Sequence, residues 1–200
     1  MKTVFFDLGG VLIDFSHEKM CAQLAKVAGI PEETIQKIFF EDKIQDLYEK
    51  GLIDSQYLHF KLSQVAKKQL DFHDVMLAIS KIFNPIPKTI ELLDALKVRG
   101  TRLVLLSNTC EAHFDYAKKT YPFLRKFDAY LLSYKVALRK PDPKIFSMAL
   151  TMTKSSPLDC LYVDDVQNHT IAAEKLGLPS HHYTGTDTLV KELKARQFLT

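Results

Sequence analysis

Asp7 stands just ahead of Gly9 and Gly10, and three other short stretches of this 200-residue chain carry comparable chemistry. They are Ser107-Asn108-Thr109, Lys140 within Arg139-Lys140-Pro141-Asp142-Pro143, and the pair Asp164-Asp165. Three carboxylates in one crevice repel each other unless they bind a cation or take up protons. Mg²⁺ suits such a place, because it takes a few carboxylates, water and phosphate oxygens. A lysine and a hydroxyl can hold the remaining phosphate oxygens, and glycines let backbone N–H groups approach an anion. A carboxylate held in line with phosphorus can attack it and form an acyl phosphate.

Those residues need elements to hold them. Thr3–Phe6 is a short β-branched and aromatic run that reads as a buried strand ending in a glycine turn. Similar runs lie at 102–106, more weakly at 127–132, at 160–163 and at 181–183. The first, second and fourth end at Asp7, Ser107 and Asp164-Asp165. Helical spacing separates the runs at 88–99, 141–152, 168–176 and 189–198. Alternating strands and helices predict a parallel sheet covered on both faces, with ligands outside the carboxyl ends of its strands.

Residues 15–83 break the alternation and read as helix: 18–28, 31–40, 44–49, 55–68 and 74–82. Pro31 opens one helix and Asp54 or Ser55 caps another. The expected architecture is α/β: a Rossmann-like core of 1–14 and 85–200, with an all-helical cap at 15–84 inserted after the first strand. Asp14 to Ser16 and Asn84 to Pro87 read as the two linkers. Phe39, Phe40, Tyr48, Tyr57 and Phe60 are expected in the core of the cap.

Bulk composition excludes several classes. Hydrophobic residues at 46% and charged residues at 26% are ordinary globular values. The net charge of +3 is scattered, with no basic stripe for nucleic acid. No run reaches the ~18 apolar residues of a membrane span. The apolar amino terminus is broken by Asp7 and Asp14 and lacks a cleavage signature, so it is not read as a signal peptide. Cys21, Cys110 and Cys160 form no CxxC pair and are expected to be small core residues of a reduced, cytoplasmic protein. The seven histidines share no metal-ligand spacing. His113, a few residues past Ser107, is the one that could face the crevice, though a structural role is the plainer reading.

Each stretch alone has a plain reading too: Asp7 as a turn residue, Ser107 as a helix cap, Lys140 as an exposed side chain, Asp164-Asp165 as a solvated pair. Together, Phe6-Asp7-Leu8-Gly9-Gly10-Val11-Leu12, Leu106-Ser107-Asn108-Thr109, Lys140-Pro141-Asp142-Pro143 and Val163-Asp164-Asp165 resemble the four ordered motifs of the haloacid dehalogenase superfamily. The resemblance covers nearly the whole chain, and a helical cap after the first motif fits the small-cap subgroup. It implies a phosphatase that acts on a small phosphorylated metabolite, with sugar phosphates among the candidates. Asp7 would be nucleophile and metal ligand, and the Gly9 carbonyl a second ligand. Asp165 would bind Mg²⁺ directly, and Asp164 directly or through water. Ser107 and Lys140 would hold the phosphoryl group, with Asn108 adding a hydrogen bond. A monomer or small homo-oligomer is expected.

One position departs from the pattern. Most phosphatases of this superfamily carry a second aspartate two residues after the nucleophile, where this chain has Gly9. General acid–base help is worth roughly two to four powers of ten. Three consequences are open: a substrate with a good leaving group, a substitute such as Asp14, His17 or the substrate itself, or weak or absent catalysis in a phosphate-binding module. Gly9→Asp is expected to raise turnover of poor leaving groups if only the acid is missing. A 2-haloacid dehalogenase is a lesser alternative, against which Asp164-Asp165 argues, and a phosphomutase is less favoured still.

Overall fold

A computed structural model describes residues 1–200. Strand β1 (Thr3–Phe6) runs through the turn at Asp7 to Gly10 into a short strand, β2 (Ile13–Phe15). Five helices follow: α1 (His17–Ala28), α2 (Glu32–Gln36) continuing as a π turn over Lys37–Glu41, α3 (Ile44–Glu49), α4 (Ser55–Ala66) and α5 (Phe72–Ser80). Strand β3 (Phe83–Pro85) then leads to α6 (Pro87–Val98), β4 (Arg102–Ser107), α7 (Glu111–Thr120) and β5 (Ala129–Leu132). A single turn, α8 (Ser133–Val136), precedes α9 (Pro143–Thr153) and β6 (Cys160–Asp164). The chain closes with α10 (Gln167–Glu174), β7 (Ser180–His182) and α11 (Thr186–Ala195).

The five long-range strands form one parallel sheet in the order β5-β4-β1-β6-β7. The chain builds outward from β1 on one side and then crosses to the other, so the order reverses beside β1. Such a reversal opens a crevice at the carboxyl ends of the strands. Alternate residues of each strand serve opposite faces. Val4, Phe6, Leu105 and Val163 pack on one side, Phe5, Val104 and Tyr162 on the other, all fully buried. Burying both faces explains why these strands read as unbroken apolar runs.

The helices between β2 and β3 have a core of their own, built on Met20, Leu24, Ile35, Leu58, Leu62 and Ile79. Their ends are set locally. Ser16 accepts from Lys19 N–H at 3.0 Å to start α1, and Gly29 ends it at φ 69°. Asp54 rather than Ser55 caps α4, accepting from Tyr57 N–H at 2.7 Å. Phe39 and Tyr48 are buried there, whereas Phe40, Tyr57 and Phe60 are exposed, against the expectation of core. Cys110 and Ala112, at the start of α7, join the same core, so this helical layer rests on the sheet domain. All three cysteines are buried and free.

Several boundaries differ from the sequence expectation. The two linkers pair as an antiparallel ribbon, Ile13 with Pro85 and Phe15 with Phe83. Running side by side, each supplies the other's backbone partners, and an edge position tolerates Pro85. Helix α9 starts at Pro143 because Asp142 caps it, accepting from Lys144 N–H at 2.9 Å. Ser107 ends β4 and caps nothing; Cys110 precedes α7 instead. No helix is long and apolar enough to cross a membrane.

Candidate active site

Asp7 follows β1 directly, and its N–H donates to Val163 O at 2.9 Å. The residue as a whole is 7% exposed. Leu8 N–H donates to Oδ1 at 2.7 Å, and Lys140 Nζ stands 2.8 Å from Oδ2. Lys140 Nζ also donates to Asp164 Oδ2 at 2.6 Å and to Leu106 O at 3.1 Å. Ser107 is buried at the end of β4, and its hydroxyl makes only a long 3.4 Å contact to Asn108 O. Asp7, Ser107 and Asp165, far apart in sequence, thus meet at one cavity of about 230 Å³.

Asn108 lines that cavity, but its amide is engaged with the backbone of Lys140. Lys140 N–H donates to Oδ1 at 2.8 Å, and Nδ2 donates to Lys140 O at 3.0 Å. These bonds make Asn108 a clamp that orients Lys140, and they leave its second Nδ2–H unused at the cavity wall.

Asp164 is fully buried and saturated. Val166 N–H and His169 Nδ1 approach Oδ1 at 2.8 and 3.1 Å, while Lys140 and the Tyr162 hydroxyl occupy Oδ2. Asp165 is less buried and faces the cavity. Gly10, at φ 71°, lies so close that an added β-carbon would fall 2.1 Å from Asp165 Oδ2. Glycine is therefore required twice over, by conformation and by space.

One lysine bridges two of the three carboxylates, Asp7 and Asp164, and the charges respond. Burial pushes the Asp7 carboxyl up to about 7; Lys140 opposes this and Asp164 adds to it. Burial also works against ionising Asp164, but Lys140 and His169 outweigh it and hold its pKa below the usual range. Burial, then Asp164, raises Asp165. The Lys140 ammonium is penalised by burial, yet Asp7 and Asp164 hold its pKa above normal. Charged Lys140 with ionised Asp7, Asp164 and Asp165 leaves a surplus of negative charge. Oxygen donors with uncompensated charge are the chemistry of a hard divalent cation. Oxygens of Asp7 and Asp164 lie within 4.8 Å of each other and of His169 Nδ1, although His169 is already bonded to Asp164.

The missing acid has a structural counterpart. A β-carbon at Gly9 would fall 2.8 Å from Cε1 of Phe15, so that ring covers the place. Phe15 packs against His17 at 5.1 Å between ring centroids, and His17 against Phe40 at 5.4 Å. His17 lines the cavity; Asp14, the other candidate substitute, is exposed on the ribbon and does not.

Residues that sequence reasoning missed complete the wall. Glu49 at the end of α3 and Arg139 before Lys140 line it, and Tyr162 anchors Asp164 from behind. His113 lines it as well, so it does face the crevice. Larger hollows of about 460 and 600 Å³ lie elsewhere, but neither contains Asp7, Ser107 or Asp165; Lys140 does not line the 230 Å³ cavity itself and reaches it only through its contact with Asp7. Size does not mark the site; the gathered charges do.

Comparison with known proteins agrees with this geometry. Residues 1–177 match the haloacid dehalogenase-like hydrolase family, and the chain belongs to it. It is 24% identical to the D-ribitol-5-phosphate phosphatase of Bacteroides thetaiotaomicron, over 88% of this chain and 89% of that protein. It is also 24% identical to mouse acyl-CoA dehydrogenase family member 10, over 97% of this chain but only 19% of that much longer protein. Among solved structures, a haloacid dehalogenase family enzyme of B. thetaiotaomicron, in complex with magnesium and inorganic phosphate, superposes with a TM-score of 0.80. It is 26% identical, covering 90% of this chain and 93% of that one.

Proposed function

We propose that this hydrolase is a magnesium-dependent phosphomonoesterase for a small phosphorylated metabolite, a sugar or alditol phosphate among the candidates, acting through an aspartyl phosphate at Asp7. The observation that carries the reading is the sharing of Lys140 by Asp7 and Asp164 beside the Ser107 hydroxyl, which is held only by a long 3.4 Å bond to Asn108 O. The names of relatives that handle phosphate esters support it.

Asp7, the Gly9 carbonyl and Asp165 are the groups that would hold Mg²⁺, Asp164 being saturated by its own hydrogen bonds. The ion would offset the repulsion among the carboxylates and the charge of the phosphate. Lys140 Nζ and Ser107 Oγ take non-bridging oxygens of the phosphoryl group. A carboxylate oxygen of Asp7 bonds to phosphorus as the bond to the alcohol oxygen breaks, and that oxygen takes up a proton. Water then hydrolyses the acyl phosphate, releasing inorganic phosphate and restoring Asp7. The helices between β2 and β3 act as a cap that excludes bulk water.

Phe15 over Gly9 favours a second reading, a phosphate-binding module without turnover. Phosphate release from a panel of phosphorylated metabolites, with magnesium or with chelator, separates the two. Magnesium-dependent release that disappears in Asp7→Asn is expected. Tight phosphate-ester binding without release, unchanged by Asp7→Asn, would overturn the enzyme in favour of the module.

A further inference from the structure

Three buried side-chain polar atoms lack a hydrogen-bond partner: Glu49 Oε2, His113 Nε2 and Arg139 Nε. Such atoms are costly, and native folds keep few without a functional reason. They come from α3, α7 and the loop before α9, yet all three residues line the cavity beside Asp7.

Glu49 and Arg139 face each other without satisfying each other. Arg139 Nη2 stands 2.8 Å from Glu49 Oε2, but without the alignment of a hydrogen bond. Arg139 Nη1 is paired with Asp46, and Gln45 Nε2 donates to Glu49 Oε1 at 2.8 Å. The two charges offset one another while Glu49 Oε2 and Arg139 Nε make no hydrogen bond; both atoms are buried, so a ligand meets them by displacing the side chains that cover them. His113 packs edge-on against Phe83 at 5.2 Å, and burial lowers its pKa to about 4. At neutral pH its Nε2 is uncharged and donates or accepts according to tautomer.

A void of about 10 Å³ borders Glu49 and His113, with room for about one water. Arg139 does not border it, so that water leaves the guanidinium N–H open. A hydroxyl donates and accepts at once. It can give its proton to Glu49 Oε2 and take one from Arg139 Nε. An anionic group in that place meets the Glu49 carboxylate, and an apolar one leaves all three atoms unpaired.

We propose that Glu49, His113 and Arg139 form a leaving-group subsite that recognises the hydroxyls of a polyhydroxylated phosphomonoester, an alditol or sugar phosphate. The inference rests on the phosphomonoesterase reading and adds to it the residues that choose the alcohol. Glu49 comes from the helical layer and the other two from the sheet domain, so bound substrate ties the layers together.

The test compares erythritol phosphate with n-butyl phosphate, four-carbon esters that differ in their hydroxyls. The readout is the ratio of their kcat/KM values in the wild type, Glu49→Gln and His113→Phe. The wild type is expected to favour the alditol ester, and each variant to reduce that preference about tenfold, the size expected for a hydrogen bond to a charged or buried polar group. No preference in the wild type, or an unchanged ratio in variants with wild-type melting temperatures, overturns the proposal. Should the variants fail to fold, calorimetric binding of both esters to Asp7→Asn decides: tighter binding of the alditol ester supports the subsite, and equal affinity overturns it. A wild type that hydrolyses neither ester but binds the alditol ester more tightly defeats the enzyme reading and leaves the subsite standing.

Discussion

The ring of Phe15 covers Gly9, with Cε1 only 2.8 Å from where a β-carbon would stand. The sequence alone points to Gly9→Asp as a gain of function. The ring predicts otherwise: the new carboxylate has no space until Phe15 moves. Gly9→Asp alone is expected to give no increase in kcat for an alkyl phosphate. Gly9→Asp combined with Phe15→Ala is expected to raise it, approaching the factor of ~100 that general acid help supplies. Steady-state kinetics on both variants checks this, and a gain in the single variant counts against it.

Gly10→Ala disturbs the site from the opposite side. A methyl group 2.1 Å from Asp165 Oδ2 must displace that carboxylate, and φ 71° adds strain of about 1 kcal/mol or more. The magnesium concentration for half-maximal activity is expected to rise about tenfold, since one tenfold step corresponds to about 1.4 kcal/mol. A magnesium titration reads it. An unchanged half-saturation point would show that Asp165 is not a ligand.

His17 lines the cavity next to the ring that covers Gly9. If His17 supplies the proton to the departing alcohol, burial, which lowers its pKa, confines that role to mildly acidic pH, and there His17→Ala should slow alkyl phosphates by a factor of ~100 or more and aryl phosphates far less. The plot of log kcat against leaving-group pKa then steepens. An equal loss for both kinds of ester would reduce His17 to a packing role.

His113 couples the fold to pH. Its folded pKa is about 4, depressed by burial and then by His17, against 6.5 for the free group. The unfolded chain therefore binds the extra proton first. The stability linked to His113 is complete above pH 6.5, falls as pH drops towards 4, and levels off below. The distance between those two values bounds the loss at about 3 kcal/mol. His17, whose pKa is also lowered by burial against the opposing pull of Glu49, adds a change of the same sign. Urea midpoints between pH 7 and 4.5 are expected to fall less steeply in His113→Phe than in the wild type; parallel curves would contradict the assignment.

The polar end of the sheet was legible because strands buried on both faces announce themselves and the polar residues that follow them are few. The meeting of Asp7, Ser107 and Asp165 at one cavity follows from that alone, and Lys140 lies in the loop preceding a helix, as expected. Glu49 gave no such signal. Its meeting with Arg139 depends on how α3 packs against the sheet domain, ninety residues away along the chain. Tyr162 looked like one more apolar strand residue, and its hydroxyl matters only because Asp164 shares its face of β6. Asn108 was recognised as part of a motif, but its bonds to Lys140 belong to tertiary geometry. The ribbon of β2 and β3 was hidden because asparagine and prolines read as loop when a strand's partner lies seventy residues away.

That ribbon has a consequence for inheritance. Ile13 lies opposite Pro85, so the chain departs from the sheet domain and rejoins it about one strand spacing apart, near 5 Å. Whatever length of polypeptide hangs between those two points, the order of strands beneath it need not change. The stretch between them is in effect a graft on a fixed stock: it can be shortened, extended or exchanged, provided the replacement still shelters Cys110 and Ala112.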